Sequence, residues 1–452
     1  MLQRHSLALI LLLCVLLLFS GCTPVASTSQ TSHTSPSSQT NQQTSTSSVS
    51  PSSSAISDSV NLMAHIQAPS WPQSPQSPDP DYVEAVNRFS ARLLNKSLTN
   101  EGNILVSPAS VFLALSMTMN GADGDTKAAM LNVLANQGIT AEMLNTFSRD
   151  WIAMLTETGS KTSLKVANSI WFSKNFQPYQ PFLQTNADFY NAGARKLDFS
   201  DIKAKGIINS WVSVQTDGLI DSIIEKIDPS TVMFLINTIY FQAAWQSPFI
   251  PERTQKEIFH APTGDVEIEF MNHVGKMNYF KGEEITGVSL PYDDGQFAYF
   301  AILPEGTDTP RDWLIKQGEG TLFETISQMM AQKSNYTVAL SLPKYKSAYA
   351  DSLVDELTAI GMGIAFDPTR ADFSMLDEQH SKDLYISEVK HKTYISVEEK
   401  GTEAAAATVV VIDKGMPAAD IQLTFNRPFV YGIMDMETGI PLFVGLLEDP
   451  EL

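Results

Sequence analysis

The sequence predicts an α+β fold built mainly of antiparallel sheets, and three observations carry that prediction. Helical and extended segments are mixed along the chain without regular strand–helix alternation. Extended runs over 288–292 and 300–304 flank Asp293-Asp294-Gly295, a strong hairpin signal. The last two extended runs, 429–434 and 440–446, are joined by the Glu437-Thr438-Gly439 turn. At 452 residues and 43% apolar content, the chain can bury a large core in one large domain or two.

In chain order, Arg4 and His5 precede an apolar run over 7–19 and then Ser20-Gly21-Cys22. The run is too short to span a membrane comfortably and reads as a signal peptide, residues 1–22. Residues 23–80 are rich in Ser, Thr, Gln and Pro, the composition of a disordered tether with a reach of roughly 40 Å. Within it, 60–71 is more apolar for no reason visible in the sequence. The folded domain is placed at 81–452. Asp79-Pro80-Asp81 caps a helix whose Val83, Val86, Phe89, Leu93 and Leu94 recur at helical spacing. A short strand over 103–108 leads to Pro108, suited to the first turn of a second helix that Asn120-Gly121 stops. Strands follow over 164–172 and 197–199, and a helix over 209–220 ends in a glycine turn. Residues 233–241 form a charge-free strand expected to be buried on both faces. Residues 338–343 alternate as a strand, and 353–362 read as a helix ending at Gly361.

The stretch 397–417 is at odds with itself. Ala404, Ala405, Ala406 and Ala407 favour helix, whereas Thr408 to Ile412 favour strand. Taken as a strand, Thr402, Ala404, Ala406, Thr408, Val410 and Ile412 share one uncharged face, while Glu403 and Asp413 fall on the other. Alanine buries little area, so such a strand can enter a sheet without being strongly held there. The competing reading is an ordinary Ala-rich helix.

Composition excludes several function classes. Thirty basic against fifty acidic residues give a formal charge of −20, which argues against nucleic acid or anionic lipid as a partner of a basic surface. The only cysteines are Cys14 and Cys22, so the folded part has neither a disulfide nor a thiolate metal site. There is no G-x-S-x-G, H-E-x-x-H, Walker-type or C-x-x-C motif, and the seven histidines lack ligand spacing. No catalytic residues, metal or cofactor are expected.

Two blocks give a family resemblance. His391-Lys392-Thr393-Tyr394-Ile395 through Glu399-Lys400-Gly401-Thr402-Glu403-Ala404 resembles the hinge of the serpin reactive loop. Leu423-Thr424-Phe425-Asn426-Arg427-Pro428-Phe429-Val430-Tyr431-Gly432-Ile433 resembles the signature that follows it. The similarity extends over about 82–450. It implies the serpin fold, mainly antiparallel sheets surrounded by helices with an exposed reactive loop. It further implies irreversible, suicide-substrate inhibition of serine proteases, and by extension cysteine proteases.

In that mechanism the loop is a bait. Attack on its scissile carbonyl gives an acyl-enzyme, and the freed loop enters the main sheet as a new strand. The segment from Thr402 to Lys414 would carry the protease about 43 Å at ~3.3 Å per residue, distorting its oxyanion hole. Thr402, Ala404 and Ala406 carry no large or charged side chain that would block entry. The hinge is thus Glu399, Gly401, Thr402, Glu403, Ala404, Ala405, Ala406, Ala407 and Thr408. Lys414 offers a cation to an acidic primary pocket, favouring the Lys414–Gly415 bond; the family register favours Gly415–Met416. Pro417 discourages cleavage after Met416. A solvated Lys414 that specifies nothing is the bland alternative.

By resemblance, Ser107, Ser110, Asn237 and His391 form a hydrogen-bonded cluster beneath the central strands, and Glu399 pairs with Lys344 near Trp245. The alternatives are satisfied core polar groups or caps, and solvated charges. Ser-Gly-Cys22 is similar to a bacterial lipobox, which implies a lipid on Cys22 and an extracytoplasmic, membrane-anchored monomer; an ordinary secretory signal or an uncleaved anchor competes with it. The alternative function is a non-inhibitory serpin acting as a binding or scaffold protein.

Overall fold

The computed structural model of the chain describes residues 58–67, 69–72, 75–156, 162–228, 231–332, 334, 336–402 and 418–451. Its spine is the charge-free strand Met233–Ala244, which pairs antiparallel with Thr162–Ser173 from Thr162↔Ala243 to Phe172↔Met233. Around this pair a seven-stranded sheet runs in the order Val60–Asn61, Gly193–Leu197, Thr162–Ser173, Met233–Ala244, Gly401–Thr402, Lys390–Glu398, Tyr345–Ser352. A six-stranded sheet is ordered Ile104–Val106, Pro441–Leu447, Phe429–Asp435, Phe297–Pro304, Ile285–Pro291, Asn278–Lys281. Three of its inner strands, Phe297–Pro304, Phe429–Asp435 and Pro441–Leu447, are buried at every residue. A four-stranded sheet is ordered Ile421–Thr424, Thr337–Pro343, Gly264–Lys276, Gln255–Ala261. All pairings are antiparallel except Thr162–Ser173 with Gly193–Leu197 and Thr337–Pro343 with Ile421–Thr424. The α+β class with mainly antiparallel sheets therefore holds.

Local signals place several elements where the sequence puts them. Asp79 accepts from the Asp81 N–H and opens the helix Pro80–Ser97, which buries Tyr82, Val86, Phe89 and Leu93. Ser107 caps Pro108–Met119, a helix buried at every position but Ala114. The hairpin between Ile285–Pro291 and Phe297–Pro304 turns at Gly295, whose φ of +73° suits glycine.

Four expectations are corrected. The tether drawn to residue 80 ends earlier, because Val60–Asn61 adds a strand to the edge Gly193–Leu197 and Arg195 donates to the Ser59 hydroxyl at 2.8 Å. Leu62, Met63, Ile66 and Trp71 then pack against the core, which accounts for the apolar character of 60–71. The strand read at 197–199 is Gly193–Leu197, since Asp198 begins an Asx turn to Ser200. The helix read at 209–220 is Ala204–Gln215. The helix read at 353–362 is α-helical only over Val354–Leu357 and continues as a wider turn Thr358–Met362; its end at Gly361 holds, since Gly361 has φ +119° and leaves helical geometry there. The strands Gln255–Ala261 and Gly264–Lys276 escaped notice, their charges obscuring the alternation. Among the described residues no helix is long and apolar enough to cross a membrane.

Candidate functional site where the main sheet opens

The main sheet has a discontinuity. Among the described residues, Met233–Ala244 and Lys390–Glu398 are not paired with each other, and two residues bridge them. Gly401 and Thr402 pair with Ala244 and Ala243 on one side and with Glu398 and Val397 on the other. Gly401 is confined to glycine by close approach, because a Cβ there would sit 2.0 Å from the Ala243 carbonyl oxygen. Further along the divide, a cavity of about 540 Å³ lies between Met233 and Leu235 on one side and Ile386 and Lys390 on the other.

Three contacts fix the point of entry. Thr402 is 1% exposed, and its hydroxyl is 2.6 Å from the Tyr292 hydroxyl. Burial drives the Tyr292 phenol far above its ordinary pKa, so it is neutral at any relevant pH. Trp245 stacks on Tyr292 with ring centroids 4.7 Å apart; its indole N–H donates to the Glu398 carbonyl at 2.8 Å, and its backbone N–H to the Lys400 carbonyl at 3.0 Å. Glu399 sits 3.1 Å from the Lys344 ammonium and accepts from the Thr254 hydroxyl at 3.0 Å. Burial opposes its charged form, but its backbone N–H, Lys344 and Thr254 outweigh that and hold the carboxyl below the usual range.

A second polar set lies under the central strands. The Ser107 N–H donates to His391 Nε2 at 3.1 Å, and the Ser107 hydroxyl donates to the Leu442 carbonyl at 2.7 Å. The Ser110 hydroxyl donates to Asn237, whose amide in turn donates to Asn168. The relay thus ties Pro108–Met119 to Thr162–Ser173, Met233–Ala244 and Lys390–Glu398. Burial pushes the His391 imidazole down to about 4, with Asp351 across the ladder weakly opposing, so the ring is neutral and accepts from Ser107.

Ser107, Ser110, Asn237 and His391 are therefore one cluster, and Glu399, Lys344 and Trp245 another, with Gly401 and Thr402 at the divide. Glu403, Ala404, Ala405, Ala406, Ala407, Thr408, Lys414, Gly415, Met416 and Cys22 lie outside the described residues. Sequence reasoning missed Tyr292, Thr254 and Asn168. Tyr292 is 110 positions from Thr402, and nothing local distinguishes it from any tyrosine ending a hairpin strand.

A family model described as serpin (serine protease inhibitor) matches residues 84–450. This chain belongs to the serpin family. It is 31% identical over 375 residues to a serpin-like protein of Thermococcus kodakarensis, covering 82% of this chain and 86% of that one. It is 30% identical over 382 residues to human antithrombin-III, covering 81% of each. In structure it resembles the native state of a thermophilic serpin, tengpin, with a TM-score of 0.79 and 36% identity over 87% of this chain and 100% of that one. The serpin fold, with its three sheets, is thereby established.

Two outcomes follow from the geometry. Because His391 has a folded pKa of about 4 against an ordinary 6.5, the unfolded state binds the extra proton, and stability present above pH 6.5 is lost as pH falls towards 4. The loss is about 3 kcal/mol if the whole difference is realised. Denaturant titrations at pH 7 and pH 4.5 should show this slope in the parent and a flatter one in His391→Gln; equal slopes would refute it. Glu399→Lys places like charges beside Lys344 where the sheet is divided. It should yield ladders of polymer on native gels after mild heating, and unchanged monomer would show that the pair does not restrain the sheet.

Proposed function

We propose that this serpin is an irreversible, suicide-substrate inhibitor of serine proteases, with reach to cysteine proteases of matching specificity. One observation carries the reading: Gly401 and Thr402 form the first rungs between two strands that, among the described residues, share no other bridge, with open space further along the divide. Among the described residues, each of those strands has an edge without a strand partner there. A strand inserted between them gains hydrogen bonds on both sides at once. The inward face is set by Thr402, so in an inserted strand Ala404, Ala406 and Thr408 would follow it inward and Glu403 would point outward. None of the inward residues brings an unpaired charge into the sheet.

On this reading a protease attacks the carbonyl of Lys414 or Gly415 and becomes acylated. Insertion then hauls it away, and the distorted oxyanion hole leaves the ester unhydrolysed. The native state is kinetically held, because the loop-inserted form is the more stable one. We further propose that Cys22 carries a lipid that tethers the domain outside the cytoplasm. Its replacement by Ala should move the protein from the membrane fraction to the soluble one, and retention in the membrane would refute the lipid anchor.

The test is incubation with trypsin, chymotrypsin, elastase and subtilisin, followed by denaturing gels and mass spectrometry of the released peptide. A detergent-stable complex with a new amino terminus at Gly415 or Met416 is expected. Cleavage by every protease without complex or gain in heat stability would leave a binding or scaffold protein. Thr402→Arg, which buries a guanidinium against Tyr292, should convert the inhibitor into a substrate: complex falls at least tenfold while cleavage persists. Undiminished complex would show that insertion does not pass through Thr402.

A further inference from the structure

Behind Trp245, between the six-stranded and four-stranded sheets, lies a second and smaller cleft of about 160 Å³. Trp245, Phe249, Leu290 and Leu340 give it apolar walls. An apolar cavity of about 150 Å³ suffices for benzene, while drug-sized ligands take roughly 300–1,000 Å³. The cleft therefore has room for one ring.

Despite a formal charge of −20, no carboxylate lines the cleft. The cavity at the divide, by contrast, carries Glu225, Asp228, Asp383 and Glu388. The cation that lines it is Lys276, exposed and in no ion pair with a described residue. His273 is also in the wall, with no hydrogen bond to a described residue; burial, and then Arg253, hold its pKa below the ordinary value, so it is a neutral donor. The ring is seated against Gly275, where an added Cβ would be 2.7 Å from Nε2. Ser247 and Asn278 add further donors. One ammonium with neutral donors matches a single negative charge, and flat apolar walls match a ring.

We propose that this cleft binds a small aromatic carboxylate, with the ring among Trp245, Phe249, Leu290 and Leu340 and the carboxylate at Lys276. The site stands whether or not the loop inhibits a protease, because its readout is binding alone. The test is a ligand-observed NMR titration of the purified protein with benzoate and, as the uncharged control, benzamide. Benzoate should bind saturably and at least tenfold more tightly than benzamide. Lys276→Glu, at an exposed position, should erase that preference. Ser247→Trp, also exposed, fills the cleft from its rim and should remove binding of both probes, with circular dichroism melts verifying that each variant is folded. Absence of saturable benzoate binding, equal affinity for benzamide, a preference that survives Lys276→Glu, or binding undiminished in Ser247→Trp would each overturn the proposal.

Discussion

Backbone pairing in the middle of a sheet, where Gly401 and Thr402 stand between two strands, is the constraint on which this structure depends. A buried N–H or carbonyl left without a partner costs on the order of 1–3 kcal/mol, so sheets ordinarily close. Here, among the described residues, Met233–Ala244 and Lys390–Glu398 meet only through Gly401 and Thr402. Among the described residues the two strands make no ladder bonds to each other, and the surrounding side chains bear on how readily the divide widens.

Those side chains work at two levels. At the top, Trp245 grips the Glu398 and Lys400 carbonyls, Tyr292 holds the Thr402 hydroxyl, and Lys344 neutralises Glu399. Lower down, the chain of Ser107, His391, Ser110, Asn237 and Asn168 satisfies polar groups that a widened sheet would strand. Buried polar networks of this kind contribute less through any single bond than through the cost of leaving one member unpaired. They therefore favour discrete open and closed arrangements over gradual loosening.

Much of this was legible in the sequence where local chemistry decides. Asp79 and Ser107 are caps, Asp293-Asp294-Gly295 is a turn, and charge-free 233–241 is a strand, though half-buried rather than buried at Met233, Phe234, Leu235 and Asn237, each for reasons confined to a few neighbours. Where partners are remote, local reading failed. Leu62, Met63, Ile66 and Trp71 stand in a Ser/Pro-rich stretch, and only their packing against the core shows that they belong to the fold. The strand over 193–197 looked displaced because its register is set by Ser169 to Ser173 alongside, while the local sequence advertises the turn at Asp198.

By itself the sequence determined the class of fold, the cap at Asp79 and the absence of enzyme motifs, because each is written in residue type and spacing. Tertiary structure alone decided which groups meet. Lys344 faces Glu399 across 55 positions, His391 accepts from Ser107 across 284, and Tyr292 holds Thr402 across 110. No local pattern encodes such distances: they arise when non-adjacent strands are brought side by side and each buried polar group must find a partner there.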